Sequence, residues 1–119
     1  MDLYSYFFKI DSKDLRFLRP HGNLNNIPIG LPILKYTNNH TIHSIICKFR
    51  DDLWLYSIYG AVKLLGIREI NTINNYLLED YDTMDDEDKK YVDSLLEDLD
   101  KLSEEIDIDD RIAYVWSKF

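Results

Sequence analysis

The stretch DDRIAYVWSKF, residues 109–119, satisfies two secondary-structure patterns at once. Ile112, Val115, Trp116 and Phe119 recur at helical spacing behind Asp109 or Asp110, either of which is able to cap a helix. Tyr, Val, Trp and Ile also favour sheets, so the same residues read nearly as well as a strand. A helix is the expectation.

The segment before it is less ambiguous. DTMDDEDKKYVDSLLEDLDKLSEE, residues 82–105, carries eleven acidic side chains and three lysines. Val92, Leu95, Leu96, Leu99, Leu102 and Ile106 form an apolar stripe, which predicts a helix from about Asp85 to Glu105. Thr83 is the expected cap, with Asp86 three residues on. In IREINTINNYLLEDY, Ile67, Ile70, Ile73 and Leu77 predict another helix. Further upstream, DDLWLYSIYGAVKLLG (51–66) reads as a central buried helix. Asp51 or Asp52 would cap it and Gly66 would end it, with Trp54, Leu55, Ile58, Tyr59, Val62 and Leu65 on its apolar face.

The first fifty residues change character. LYSYFFKI (3–10) is aromatic-rich and reads as a strand. SKDLRFLRP (12–20) fits one or two helical turns before Pro20, and HGNLNNIPIGLP (21–32) is an irregular loop. ILKYT and TIHSIICKF flank NNH, which predicts a hairpin with Asn38 and Asn39 able to take positive φ. The expected fold is therefore α+β: a small N-terminal antiparallel sheet or hairpin followed by three to four helices, packed as a single domain over 1–119. Residues 1–50 would be mainly strands and loop, and 51–119 mainly helical and acidic.

At 45% apolar and 13% aromatic, the chain has material for a core, which excludes wholesale disorder. Cys47 is the single cysteine, which excludes an intrachain disulfide and fits a reducing compartment. The opening MDLYSYFFKID does not read as a secretory signal, and no apolar run approaches the ~20 residues that span a bilayer. A cytoplasmic location is expected, in the host cytoplasm if the protein is viral. The abundance of Ile, Asn, Asp, Lys and Tyr is what AT-rich genomes encode, those of phages and some large viruses among them.

The net charge of −8 is unevenly divided: residues 1–67 sum to +3 and residues 68–119 to −11. Such a field repels nucleic acid and anionic membranes and attracts basic surfaces. Within the predicted helix, Asp93, Glu97, Asp100 and Glu104 fall at i, i+4, i+7 and i+11, one row opposite the leucine stripe. Like charges at that spacing each destabilise by ~0.2–0.5 kcal/mol, so the row costs about 1 kcal/mol. Asp85, Asp86 and Asp88 lie at the helix N-terminus, where the dipole favours them. Residues 79–110 hold sixteen acids and three lysines. Fully helical, they would carry about one acid per ~3 Å, against one phosphate per ~1.7 Å of duplex DNA axis. The density is within a factor of two, enough for crude nucleic-acid mimicry.

The expected function follows from that row: a small acidic, non-catalytic protein that binds and inhibits a basic protein, such as a nuclease or a nucleic-acid-binding defence or toxin protein. Immunity proteins, antitoxins and phage anti-defence inhibitors are of this type. The expected partner-binding residues are Asp85, Asp86, Asp88, Asp93, Glu97, Asp100 and Glu104. A solvated face that only keeps the protein in solution is the competing explanation. The alternative function is an oligomerising or adaptor domain, a homo-oligomer among the possibilities, using Tyr4, Tyr6, Phe7, Phe8, Tyr56, Tyr114 and Trp116.

An enzyme built on Cys47 and His43 ranks below both. On the predicted strand these residues lie four apart, about 13 Å along the axis, too far to bond, and Cys47 alternates with Ile45 and Phe49 as a core residue. His21, His40, His43 and Cys47 have ligand types that suit zinc but lack a second close pair. Calcium loops starting at Asp80 or Glu105 fail at positions 6 and 12. No Gly-rich phosphate loop, G-x-S-x-G or H-E-x-x-H is present. No metal and no cofactor are expected.

Overall fold

The structure, a computed structural model, describes residues 1–16, 30–49, 55–57 and 60–118, with no side-chain description for 55–57. The chain order is β1 (Leu3–Ile10), α1 (Ser12–Leu15), β2 (Leu34–Thr37), α2 (His40–Cys47), β3 (Leu55–Ser57), β4 (Gly60–Leu65), α3 (Ile67–Leu78), a 3-10 turn (Tyr81–Thr83), α4 (Asp86–Glu105) and β5 (Arg111–Lys118). The strands form one antiparallel sheet in the order β2-β1-β5-β4-β3. The class is α+β, as expected.

The strands, however, are distributed differently. Three of the five lie beyond residue 50, in the part expected to be mainly helical, and the final one is at the centre of the sheet. The predicted terminal helix is strand β5, in register with both β1 and β4. The reason is burial on two sides. Ile112 and Tyr114 are buried on one face, and Ala113 and Val115 on the other. A strand covered on both faces reads as a continuous apolar run, so its period of two disappears and helical spacing can be picked out of it.

The predicted central helix over 51–66 is corrected for the same reason. Its described residues are β3 and β4, where Val62 and Leu65 are fully buried on opposite faces. Residues 51–54, including the expected caps Asp51 and Asp52, lie outside the described residues. Gly60 has φ +143, and any Cβ there would collide with the carbonyl oxygen of Trp116 across the β4–β5 pair. Glycine is thus required by close backbone approach inside the sheet. Gly66 is extended (φ −95, ψ −176) and precedes α3 rather than ending a helix.

The predicted hairpin at NNH is half correct. Asn38 does take positive φ (59), and its side-chain oxygen accepts from Leu3 N at 2.8 Å. The chain then enters α2 instead of a second strand. The Asn39 side chain caps that helix by accepting from Ile42 N at 3.1 Å. Ile42, Ile45 and Ile46 bury one helical stripe. β-branched isoleucines mask such a stripe, because they favour strands when read locally.

The helices α3 and α4 form as predicted. Ile70, Ile73 and Leu77 are buried on α3, and Val92, Leu95, Leu99 and Leu102 on α4, with Ile106 just beyond it. The cap of α4 is Asp85, whose carboxylate accepts from Asp88 N at 2.8 Å. Thr83 instead donates to the Asp80 carbonyl at 2.8 Å, inside the 3-10 turn. Helices α2, α3 and α4 share one core with Phe7, Leu65, Ile112 and Tyr114 of the sheet. On the opposite sheet face Ile10, Val62, Ala113 and Val115 form a second, smaller cluster with Tyr6, Phe8, Leu15 and Leu64. No described helix is long and apolar enough to cross a membrane.

Candidate functional site

Two groups of polar residues stand out. The first is the outer face of α4. Its apolar stripe is fixed in the core, which turns the opposite face to water. Asp85, Asp86, Asp88, Asp93, Glu97, Asp100 and Glu104 are all exposed. Asp85 is the cap, and Asp86, Glu87 and Asp88 occupy the first turn. Helix physics alone explains these, because they meet unpaired N–H groups and the positive end of the dipole.

The row further along has no such explanation. Among the described residues the ion pairs are Lys9–Asp11 at 3.4 Å and Lys101–Asp98 at 3.8 Å, so Asp93, Glu97, Asp100 and Glu104 make no direct ion pair there, with Lys89 and Lys101 within about a turn of them along the helix. Asp93 accepts a hydrogen bond from Tyr81 Oη at 2.8 Å, which carries one acid into a tyrosine contact. That bond, ahead of burial, raises the Tyr81 pKa. Asp98 points inward and is different in kind. It accepts from Tyr36 Oη at 2.6 Å, tying α4 to the edge strand β2. Burial and that carboxylate together drive the Tyr36 hydroxyl far above its ordinary value. Its role is structural.

The second group overturns the sequence reading of Cys47 and His43. Both are on α2, where a four-residue spacing is about one turn and not an extended 13 Å. Cys47 Sγ lies 3.5 Å from His43 Nε2 and 3.8 Å from Nδ1. Cys47 is exposed rather than a core residue. His43 Nδ1 is 2.8 Å from Tyr114 Oη, and Tyr114 Oη is 3.0 Å from Ser5 Oγ. Four side chains from α2, β5 and β1 thus form one hydrogen-bonded row. Trp116 stacks on Tyr114 at 5.4 Å and meets the His43 ring edge-on at 5.5 Å.

Lys63 lies beneath the same helix and is 2% exposed. Its ammonium donates to the carbonyls of Ile46 (3.2 Å) and Phe49, so it caps the C-terminal end of α2 with a buried positive charge. Read as helical, GAVKLL gives Lys63 the look of a surface position, so the sequence alone does not mark it. Electrostatics set the protonation of the pair. Burial lowers the His43 pKa, with help from Lys118 and His40. Burial raises the Cys47 thiol, against the opposing charges of Lys63 and Lys118. At neutral pH the pair is therefore thiol and neutral imidazole.

The described residues hold no group of three His, Cys, Asp or Glu side chains able to bind a metal. His21 lies outside the described residues. The aromatic set expected for an adaptor surface is largely built into the sheet: Phe7 and Tyr114 are buried, and Tyr4, Tyr6, Phe8 and Trp116 half-buried. The side chain of Tyr56 is outside the description. No protein-family model, curated protein or solved structure matches this chain.

Proposed function

We propose that this protein acts by binding a basic protein partner through the outer face of α4, as an inhibitor that occupies the partner's nucleic-acid groove. The observation that supports it most is the row Asp93, Glu97, Asp100 and Glu104. It is exposed, without a direct ion pair among the described residues, and carried on a 20-residue helix whose other side is anchored in the core. Exposed surfaces usually intersperse charges of both signs, and a lysine in this row would have removed repulsion of about 1 kcal/mol. A rigid row of carboxylates fits a groove lined with arginine and lysine, where it takes the place of phosphates. The chain's net charge of −8 also steers such a partner towards it.

The test is capture from the cell of origin with wild-type protein and with the variant D93K/E97K/D100K/E104K. The expected catch is a basic, nucleic-acid-binding protein that wild type retains, that duplex DNA displaces, and that the folded variant loses. A partner that ignores both DNA and charge reversal would sink the proposal. The free protein itself is expected not to shift DNA or RNA in a mobility assay at physiological salt.

A further inference from the structure

We propose that the outer edge of β2 pairs with the same edge of a second copy of this chain, joining two sheets across a two-fold axis at Tyr36. The surface shares no residue with the acidic row of α4. β2 ends the sheet order, so one of its edges is bonded to β1 and the other faces outward. The register shows which backbone groups lie on that outer edge. Asn38 N donates to Leu3 O, and bonded and non-bonded pairs alternate along an antiparallel ladder, so Leu34 and Tyr36 turn their backbone groups to β1. The N–H and C=O groups of Lys35 and Thr37 therefore point outward, and both residues are exposed.

Those groups are self-complementary. In a two-fold interface residue i meets j and j meets i. With the axis at Tyr36, Lys35 faces Thr37 of the second copy and Thr37 faces its Lys35, so every outward N–H and C=O of the pair finds a partner. The register one step away sets Lys35 against its own copy, where like charges repel. A step in the other direction pairs only Thr37 with its own copy. Charge fits the central register too. Lys35 is the cross-strand neighbour of Tyr6, and Asp2 accepts from Tyr4 Oη at 3.4 Å, so Lys35 and Asp2 share one sheet face. Asp2 of the second copy then lies one strand beyond Thr37, within reach of an extended lysine. Among the described residues Lys35 makes no ion pair. A lysine on a short edge strand discourages pairing in general, and this register gives it a partner. The interface is small and two chains of net charge −8 repel, so association is weak and strengthens as salt screens the repulsion. A basic partner on α4 responds to salt in the opposite sense.

Sedimentation equilibrium of the full chain is the test. The expected result is a monomer at about 10 µM that moves to dimer towards about 1 mM, several-fold more readily in high salt than in low. Hydrogen exchange at the Lys35 and Thr37 amides should slow over the same range, because these N–H groups gain acceptors. Thr37→Pro removes an outward N–H and leaves the β1 ladder alone, which edge strands tolerate, so the variant should fold and associate at least about tenfold more weakly. A chain that stays monomeric at about 1 mM in high salt would overturn the proposal. So would a dimer whose Lys35 and Thr37 amides exchange as fast as in the monomer, a measurement that needs no variant to fold. A folded Thr37→Pro that dimerises like wild type would overturn it as well.

Discussion

Helices α2 and α4 lie in the same layer on the same sheet face, yet they handle polar groups in opposite ways. On α4 the charges face water and bond to little, so they repel one another weakly and act at a distance. On α2, His43 lies over the sheet and meets Tyr114 of β5, and Lys63 of β4 donates to carbonyls at the helix end. Charges of the first kind are dispensable to folding and sensitive to salt. Groups of the second kind matter to folding and respond to pH.

The largest contrast is expected at Lys63. Lys63→Ala removes a buried stem and leaves the Ile46 and Phe49 carbonyls without their donor, so a loss of about 3 kcal/mol in denaturant unfolding is expected. An unchanged midpoint would show that α2 does not depend on this cap. Tyr36→Phe comes next, deleting the hydrogen bond to Asp98. A loss of about 1–2 kcal/mol is expected, as for a bond to a charged acceptor, because the carboxylate can recover part of its hydration.

The effect of pH separates the helices further. The folded state holds His43 below its ordinary value of 6.5. The unfolded chain therefore binds a proton there first, and stability falls as pH drops from about 6.5 towards the folded value. His43→Gln should flatten the melting temperature across that window. Asp110, which accepts from Ser12 N at 2.9 Å and Asp107 N at 3.0 Å, is likewise held below its ordinary value by those two bonds. Its contribution is present near neutrality and is lost only in stronger acid, below about pH 4. The acidic row should contribute least. Neutralising Asp93, Glu97, Asp100 and Glu104 to Asn or Gln should change stability by no more than about 1 kcal/mol, in the stabilising direction at low salt.

The same two helices show what could be read from residues alone. On α4 one stripe is buried and one is wet, so the period of 3.6 is visible, and the acidic row follows from it. Strand β5 and its neighbour β4 are buried on both faces, which erases the alternation that would have marked them. Lys63 adds to the disguise, since a lysine inside GAVKLL looks like a surface position. The α2 row was hidden twice over. Its isoleucines imitate a strand, and a strand puts Cys47 and His43 out of reach. The rest of the row depends on long-range pairing, because Ser5 and Tyr114 are 109 residues apart in the chain. Local pattern holds no record of such a contact.

If α4 presents its acids to a basic partner, the association rate of the captured partner depends on salt. Wild type should associate fast at low ionic strength and slow steeply as salt rises, because steering charges are screened within about 10 Å at 0.1 M. The variant D93K/E97K/D100K/E104K should keep a melting temperature close to wild type and bind orders of magnitude more weakly. An association rate indifferent to salt, with full affinity retained by the folded variant, would contradict the claim and leave the outer face of α4 as a solvated surface.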